Sequence, residues 1–426
     1  MKTRIKTRIL LALIAILLCG CTASPLPTPT PLPSVERPPF PTPTPEPTPW
    51  TPPPVVMPTM MLPHAETDIF NGRDEYIYMS PVSSSGYGIM VIKSDGSIVT
   101  WGEDVPQGEY IYPADYPAIG EAVFISNARW SQLAVDNEGT LWNWGKRHRG
   151  NWETDQEPFL RKIMQDVKMA SAGTYSAMVL RKDGSVWTWG EGEYGVLGLG
   201  RDVALEHSYN SEREGSPYNP LTTPGKVMDN VIFADGCYAI KEDNTLWGWG
   251  YVGINVNPYD PYEYEPVYIM SGVKYVSSHI AVKTDGTLWT FGKRMFYPPH
   301  SGEEPFPSYF TDGPPVQIME DVRLAKNEAY RFMVIKEDGS LWVWGDNDEG
   351  ALGDGTDEFR YEPFKLMDNV VYATAGAYNI YIVTASGELW ETGYGIWLGL
   401  DGDALREARL PHKIMDDVLV TSSVGQ

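Results

Sequence analysis

The chain has 426 residues, 42% of them hydrophobic and 21% charged, which is enough apolar material for a sizeable core. Its 33 basic against 56 acidic residues give a formal charge of −23, which argues against a nucleic-acid surface built on excess cations. Three cysteines are too few for a disulfide-stapled scaffold.

The first element is a targeting segment. Lys2, Arg4, Lys6 and Arg8 form a positive start, and Ile9 to Leu18 an apolar run too short to act as a stop-transfer helix. Leu18-Cys19-Gly20-Cys21 follows and resembles a bacterial lipobox, which implies cleavage before Cys21 and lipidation of that thiol. An ordinary secretory signal is the alternative. Residues 1–20 are thus expected to be a lipoprotein signal peptide. The mature chain would sit lipid-anchored on the extracytoplasmic face of a bacterial cell membrane, touching the membrane through that lipid alone. Its 29 basic and 56 acidic residues give a net charge of −27. Cys237 is then the one free thiol of the folded part, read as buried packing because nothing in the sequence marks it as electropositive or histidine-activated.

Residues 21–64 read as a Pro/Thr-rich linker. Seventeen of the chain's 36 prolines lie between Pro25 and Pro63, so the backbone lacks donors and is held near polyproline II. No core can form there. At ~3.1 Å per residue such a segment reaches roughly 120 Å at most, as a stalk or as a disordered tail.

From residue 75 onward the chain repeats itself. Val334 to Gly345 is a short apolar run, an Asp-Gly turn and an alternating Leu-Trp-Val-Trp that stops at glycine, which is a β-hairpin. The same hairpin ends at Gly102, Gly145, Gly190, Gly250, Gly292, Gly345 and Gly393, at spacings of 43, 45, 60, 42, 53 and 48 residues. Each unit reads as strands A, B and C, a variable loop, and a fourth strand D such as Lys162-Ile163-Met164. Four short strands repeated seven times predict an all-β, seven-bladed propeller over residues 75–426. The paired tryptophans, such as Trp142 with Trp144 and Trp187 with Trp189, are two apart on one strand face and are read as core between blades. Met79 to Ser83 and Val418 to Ser423 both read as A strands, giving eight for seven hairpins. One end is therefore expected to displace the other or to lie outside the ring.

Repeats three and six resemble the regulator-of-chromosome-condensation repeat. The residues that carry the likeness are Glu337 to Gly345 followed by Gly350-Ala351-Leu352-Gly353, and Trp189-Gly190 followed by Tyr194-Gly195-Val196-Leu197-Gly198. The resemblance implies a seven-bladed propeller. It departs from the family in two ways: the Gly-x-Leu-Gly loop is missing from repeats one, two, four and five, and the family's histidine at the start of strand B is replaced by Tyr87, Trp130, Tyr175, Tyr330 and Tyr378. The family name suggests nucleotide exchange on a nuclear GTPase, which a lipobox would place out of reach. A secreted propeller of the same family that inhibits β-lactamase is the nearer analogue by location.

Strand order puts the A–B turns and C–D loops on one face, so those five aromatics share it with the long loops. The seven loops carry −19 of the mature chain's charge and many tyrosines, among them Tyr259, Tyr262 and Tyr264. Acid interleaved with aromatic rings suits a basic protein patch or a glycan, and repels nucleic acid. No cofactor and no metal are expected. Gly190-Glu191-Gly192-Glu193-Tyr194-Gly195 matches Gly-x-Gly-x-x-Gly, but no helix is expected after it and the repeat already explains the glycines. Asp346, Asp348, Asp354 and Asp357 are misphased for a calcium loop. The function expected is a monomeric, non-catalytic binding scaffold for an extracellular protein or glycan. The alternatives are a propeller glycosidase or lyase using a carboxylate pair, an enzyme inhibitor, and a structural envelope component.

Overall fold

The computed structural model describes residues 80–85, 88–102, 119–128, 131–144, 160–208, 220–253, 260–292, 315–393 and 409–420. All of them belong to the second of two compact units, Glu66–Gln426. Cys21, the linker, Tyr87, Trp130 and Tyr259 lie outside the described residues.

Seven antiparallel sheets follow one another along the chain. The first holds β1 (Val82–Ser84), β2 (Gly88–Ile92) and β3 (Ile98–Gly102), and the second β4 (Ala122–Ala128), β5 (Ser131–Asp136), β6 (Leu141–Trp144) and β7 (Arg161–Met164). Blade three is β8 (Val167–Ala172), β9 (Ser176–Arg181), β10 (Val186–Gly190) and β11 (Leu221–Met228). Blade four is β12 (Val231–Asp235), β13 (Tyr238–Lys241), β14 (Leu246–Gly250) and β15 (Glu263–Met270). Blade five is β16 (Val273–Ser277), β17 (Ile280–Lys283), β18 (Leu288–Thr290) and β19 (Val316–Met319). Blade six is β20 (Val322–Glu328), β21 (Arg331–Lys336), β22 (Leu341–Gly345) and β23 (Arg360–Met367). Blade seven is β24 (Val370–Ala375), β25 (Asn379–Thr384), β26 (Leu389–Gly393) and β27 (His412–Met415). The architecture is the seven-bladed, all-β propeller that the repeats predict, with each A strand innermost.

The Asp-Gly turn, which is Asp243-Asn244 in blade four, works the same way in most blades. The carboxylates of Asp95, Asp183, Asp243, Asp285 and Asp338 each accept from the backbone N–H and the hydroxyl of the Ser or Thr two residues on. Those hydroxyl bonds hold all five carboxyls below the usual aspartate range. In blades three to six the same hydroxyl then accepts from the indole N–H of the first tryptophan of strand C, at 2.7 to 2.9 Å. That tryptophan is half-buried, and in blades four and five a lysine from strand B (Lys241, Lys283) covers its ring at 4.4 and 4.0 Å. The second tryptophan is the deeper one: Trp249 is 0% and Trp344 2% exposed, with Trp344 stacked on Phe332 at 4.7 Å. Removing roughly 200 Å² of ring from water contributes a gross 5 kcal/mol or so per fully buried tryptophan.

Blades are joined by one repeated bond. The first residue of each A strand donates its N–H to a carbonyl in the B–C turn of the blade before: Ala122 to Gly96, Val167 to Gly139, Val231 to Gly184, Val273 to Asn244, Val322 to Gly286 and Val370 to Gly339, all at 2.8 to 3.0 Å. The residue before it turns through positive φ at Asp166, Asn230, Gly272, Asp321 and Asn369, which explains the Asp or Asn at this junction.

This bond also settles the closure. The seventh copy is made by Val418, whose N–H donates to Gly387 of blade seven at 2.9 Å, while Asp417 takes the positive-φ position. Val418 then pairs with Lys93, and Leu419 donates to Ile92, whose own N–H donates to Pro81 just before β1. The innermost strand of blade one is therefore built in two halves, the outer from the C-terminal segment and the inner from Val82–Ser84. The expectation that one end must displace the other or lie outside is corrected: each supplies the ladder bonds that the other leaves, and the ring is latched by both.

Candidate functional site

The glycine that ends each hairpin explains the loop face. In blades three, six and seven a Cβ on Gly190, Gly345 or Gly393 would lie 2.3, 2.3 and 2.1 Å from the carbonyl oxygen of Tyr175, Tyr330 or Tyr378, so strand C can close against the A–B turn only through glycine. In two of them the next residue completes the turn: Glu191 donates its N–H to the Tyr175 carbonyl at 2.9 Å, and Asp346 to that of Tyr330 at 3.1 Å. With their carbonyls fastened in this way, the three tyrosine side chains are 43, 54 and 43% exposed.

The rings do not converge. Tyr175 lines a 580 Å³ cleft that opens beside blade three, and Tyr330 and Tyr378 do not line it. The cleft is bounded by the A–B turn Gly173 to Ser176, by Glu191, Glu193 and Tyr194 after strand C, and by Gly236 and Cys237 of blade four. Glu191 is 7% exposed and Tyr194 54%. Glu193 to Gly195 forms one 3-10 turn in which Tyr194 has φ 61°, and this throws its ring outward against Tyr262 at 5.1 Å. Tyr262 in turn meets Tyr251 at 6.1 Å, and Tyr251 meets His279 at 6.3 Å. Tyr264 is engaged differently: its hydroxyl donates to Asp260 at 3.0 Å, and Arg201 both covers its ring at 5.3 Å and pairs with Asp260 at 3.0 Å. Arg201–Glu206 is a short helix, which corrects the expectation that no helix follows the Gly-x-Gly-x-x-Gly match. It starts six residues past Gly195, too far for its N-terminus to belong to that motif.

The floor of the cleft leads to the axis. Ser171 lines both the cleft and a 170 Å³ cavity in the axial channel, to which all seven A-strand segments contribute. Lys326 Nζ donates to Glu328 at 3.1 Å and to the Tyr372 hydroxyl at 2.8 Å, and Thr374 donates to the second Glu328 oxygen at 2.8 Å. Burial alone would lower the Lys326 ammonium, yet Glu328, Tyr372, Tyr275 and Asp235 hold it well above the usual lysine range. Burial raises Asp235, which accepts from Ser171 at 3.2 Å. Burial, with Asp235 second, pushes the Cys237 thiol up to about 12, so it is packing material and not a nucleophile at neutral pH.

The acids of the blade-six loop are spread over separate bonds. Asp346 holds Arg331 at 2.8 Å, Asp354 accepts from Thr356, Asn347 and Arg360, and Asp357 pairs with Arg409 at 2.9 Å. Among the described residues no group of three or more His, Cys, Asp or Glu is placed to hold a metal ion. Glu191, Glu193 and Tyr194 were visible in the sequence only as the interior of a glycine motif; the exposure of Tyr194 depends on its left-handed backbone.

With the blades and their inter-blade bonds in view, the family model for the regulator of chromosome condensation (RCC1) repeat matches residues 183–228 and 338–383, which fall on blade three and on blades six and seven. The chain carries RCC1 repeats on its propeller. Human WBSCR16 is similar to this RCC1-repeat propeller at 19% identity and a TM-score of 0.50, over 68% of this chain and 82% of that one. Prp20p of Saccharomyces cerevisiae, described for its binding to Gsp1p and histones, is similar at 14% identity and a TM-score of 0.54, over 69% and 80%. The E3 ubiquitin-protein ligase HERC2 of Homo sapiens is 24% identical over 300 residues, which is 66% of this chain but 5% of HERC2. The RCC1-repeat propeller thus spans a small part of that relative's length, and the solved structures establish the fold.

Proposed function

We propose that the chain is a surface-anchored binding protein, held to a bacterial membrane by lipid on Cys21, whose propeller presents its loop face to a protein partner. The observation that carries the reading is the cleft beside Tyr175. Exposed tyrosine rings meet the more buried Glu191 and Glu193 there on a turn fixed by backbone bonds, with few chain entropy costs left for binding. The inward side of the fold is consumed by packing, and the channel cluster satisfies itself, so the loop face is where chemistry is left over for a protein. The description of Prp20p as a binder of Gsp1p and histones adds support from a shared fold. Both of those partners are proteins.

The test is capture of partners from cell-surface extracts by the purified mature protein beside a variant with Tyr175, Tyr330 and Tyr378 changed to Ala, with a glycan array in parallel. A saturable protein partner lost in the triple variant is the expected result. Equal capture by both proteins removes the site from the tyrosines, and a glycan hit with no protein partner replaces the protein reading. For the anchor, Cys21→Ser is expected to move the protein from the membrane fraction to the soluble one. An unchanged distribution rejects the lipidated cysteine.

A further inference from the structure

Independently of the loop-face reading, we infer that the axial channel is a second site, which binds one small, neutral, polyhydroxylated ring, a sugar residue, on the rings and hydroxyls of the A strands. The 170 Å³ cavity there is lined in two tiers. Two residues after the starts of their strands stand Phe233, Tyr275 and Tyr372. Two residues further along, about 7 Å nearer the A–B turns at the rise of a strand, stand Ser126, Ser171, Asp235 and Lys326. Beyond them the Glu328 side chain is 31% exposed, so the cavity is open on that side.

The charged groups of the upper tier are engaged with one another and with their neighbours. Lys326 serves Glu328 and Tyr372, Glu328 also accepts from Thr374 and from the Ala375 N–H at 2.8 Å, and Asp235 takes the Ser171 hydroxyl. An ion entering the channel meets no unmatched charge. The hydroxyls keep more in hand. Ser83 and Ser126 each accept an N–H from the following blade, of Asn127 and Ala172, at 2.9 Å, which fixes the oxygen and leaves the O–H to give. Tyr275 is the deciding group. Its side chain lines the cavity and is only 4% exposed, and among the described residues no hydrogen bond reaches its hydroxyl, which burial holds protonated. Such a group is costly to bury unless something in the cavity meets it.

Size and shape narrow the occupant. A single water needs ~10–15 Å³ and a drug-sized ligand ~300 Å³ or more, so 170 Å³ suits one sugar ring and excludes a peptide. The Phe233 and Tyr275 rings, 5.0 Å apart, offer an apolar face to the C–H side of such a ring, while the serine and tyrosine hydroxyls meet its O–H groups. An apolar molecule would leave those hydroxyls unmet.

The experiment is saturation-transfer NMR on the purified mature protein. The probes are glucose, galactose, mannose, N-acetylglucosamine, lactose and cellobiose, with sodium phosphate and tetramethylammonium in competition as ionic controls. Tyr275→Phe keeps the ring and removes the hydroxyl, Ser126→Ala removes a second donor, and Tyr268→Ala on the outer strand of blade four is the control. Thermal melts show that each variant keeps its fold. At least one sugar is expected to bind saturably at up to about ten millimolar, to weaken about fivefold in Y275F, and to be unaffected in Y268A or by the ions. Monosaccharides binding alone would mark a free sugar as the ligand, and equal binding of a disaccharide the end of a glycan. No saturable sugar signal overturns the proposal, as does unchanged binding in folded Y275F or displacement by either ion. A sugar kept in Y275F but lost when Tyr175, Tyr330 and Tyr378 are changed to Ala belongs to the loop face and also overturns it. Failure of the axial site leaves capture of a protein by the three tyrosines untouched.

Discussion

Replacing Glu391 with glutamine is expected to remove most of a pH dependence that the fold carries within blade seven. The carboxyl is 3% exposed; one oxygen accepts from Asn379 Nδ2 at 2.8 Å, and the other stands 3.7 Å from His412 Nε2. Burial pushes its pKa up from the ordinary 4.5 to about 7, against an opposing hydrogen bond from the Tyr381 hydroxyl. A carboxyl raised by folding binds its proton more tightly in the folded state than in the unfolded one. Stability is therefore lost as pH rises, beginning near the unfolded value and complete above the folded one. The interval between 4.5 and about 7, at about 1.36 kcal/mol per pH unit, amounts to roughly 3 kcal/mol. Urea unfolding of wild type and E391Q, compared at about pH 5 and about pH 8, isolates this group because every other titration is common to both proteins. E391Q should be nearly matched to wild type at the lower pH and more stable by up to roughly 3 kcal/mol at the higher. His412→Gln in both backgrounds separates any share carried by the ring beside it. Parallel stability curves for wild type and E391Q would refute the reasoning, as would a wild type that is the more stable at high pH.

Three further outcomes follow from particular contacts. Arg331 is 1% exposed and donates to the Asp346 carboxylate and carbonyl and to the Gly376 and Ala377 carbonyls of the next blade; Arg331→Leu should cost about 3 kcal/mol in urea unfolding, because the half-buried Asp346 carboxylate loses its charge partner and the Gly376 and Ala377 carbonyls lose their donor. Val418→Asp should cost at least about 3 kcal/mol by placing a charge where a 1% exposed side chain latches the ring, with early exchange of the amides at positions 418 and 419, which donate to the Gly387 and Ile92 carbonyls, in hydrogen-exchange mass spectrometry. Cys237 should resist a thiol reagent at about pH 8 in the folded protein and react on denaturation; rapid labelling of the native state would contradict its pKa of about 12.

The fold was legible because its devices are local. A turn of Asp, Gly and a hydroxyl residue, then a tryptophan two residues past the hydroxyl, is one hydrogen-bonded unit: the carboxylate takes the hydroxyl, and the hydroxyl takes the indole. Repetition at a fixed spacing carried the rest. The closure was half legible for the same reason. Two A-strand patterns for one place can be counted in a sequence, but sharing a strand between them depends on Ile92 using its N–H for Pro81 and its carbonyl for Leu419.

The candidate site was less legible because it depends on backbone sign and on neighbours distant in sequence. Tyrosines at the starts of B strands are readable from the repeat, yet Tyr175 alone borders the cleft, because only blade three places Tyr194 on a left-handed turn beside it. Blade six repeats that turn with Glu349 at φ 59°, and there Arg331 is already bonded to Asp346, so the same geometry yields a structural clamp between blades six and seven. The difference is one residue at the start of strand B, Ser176 in blade three against Arg331 in blade six. A serine brings no charge to the turn of blade three, whereas in blade six an arginine answers the Asp346 acid from within.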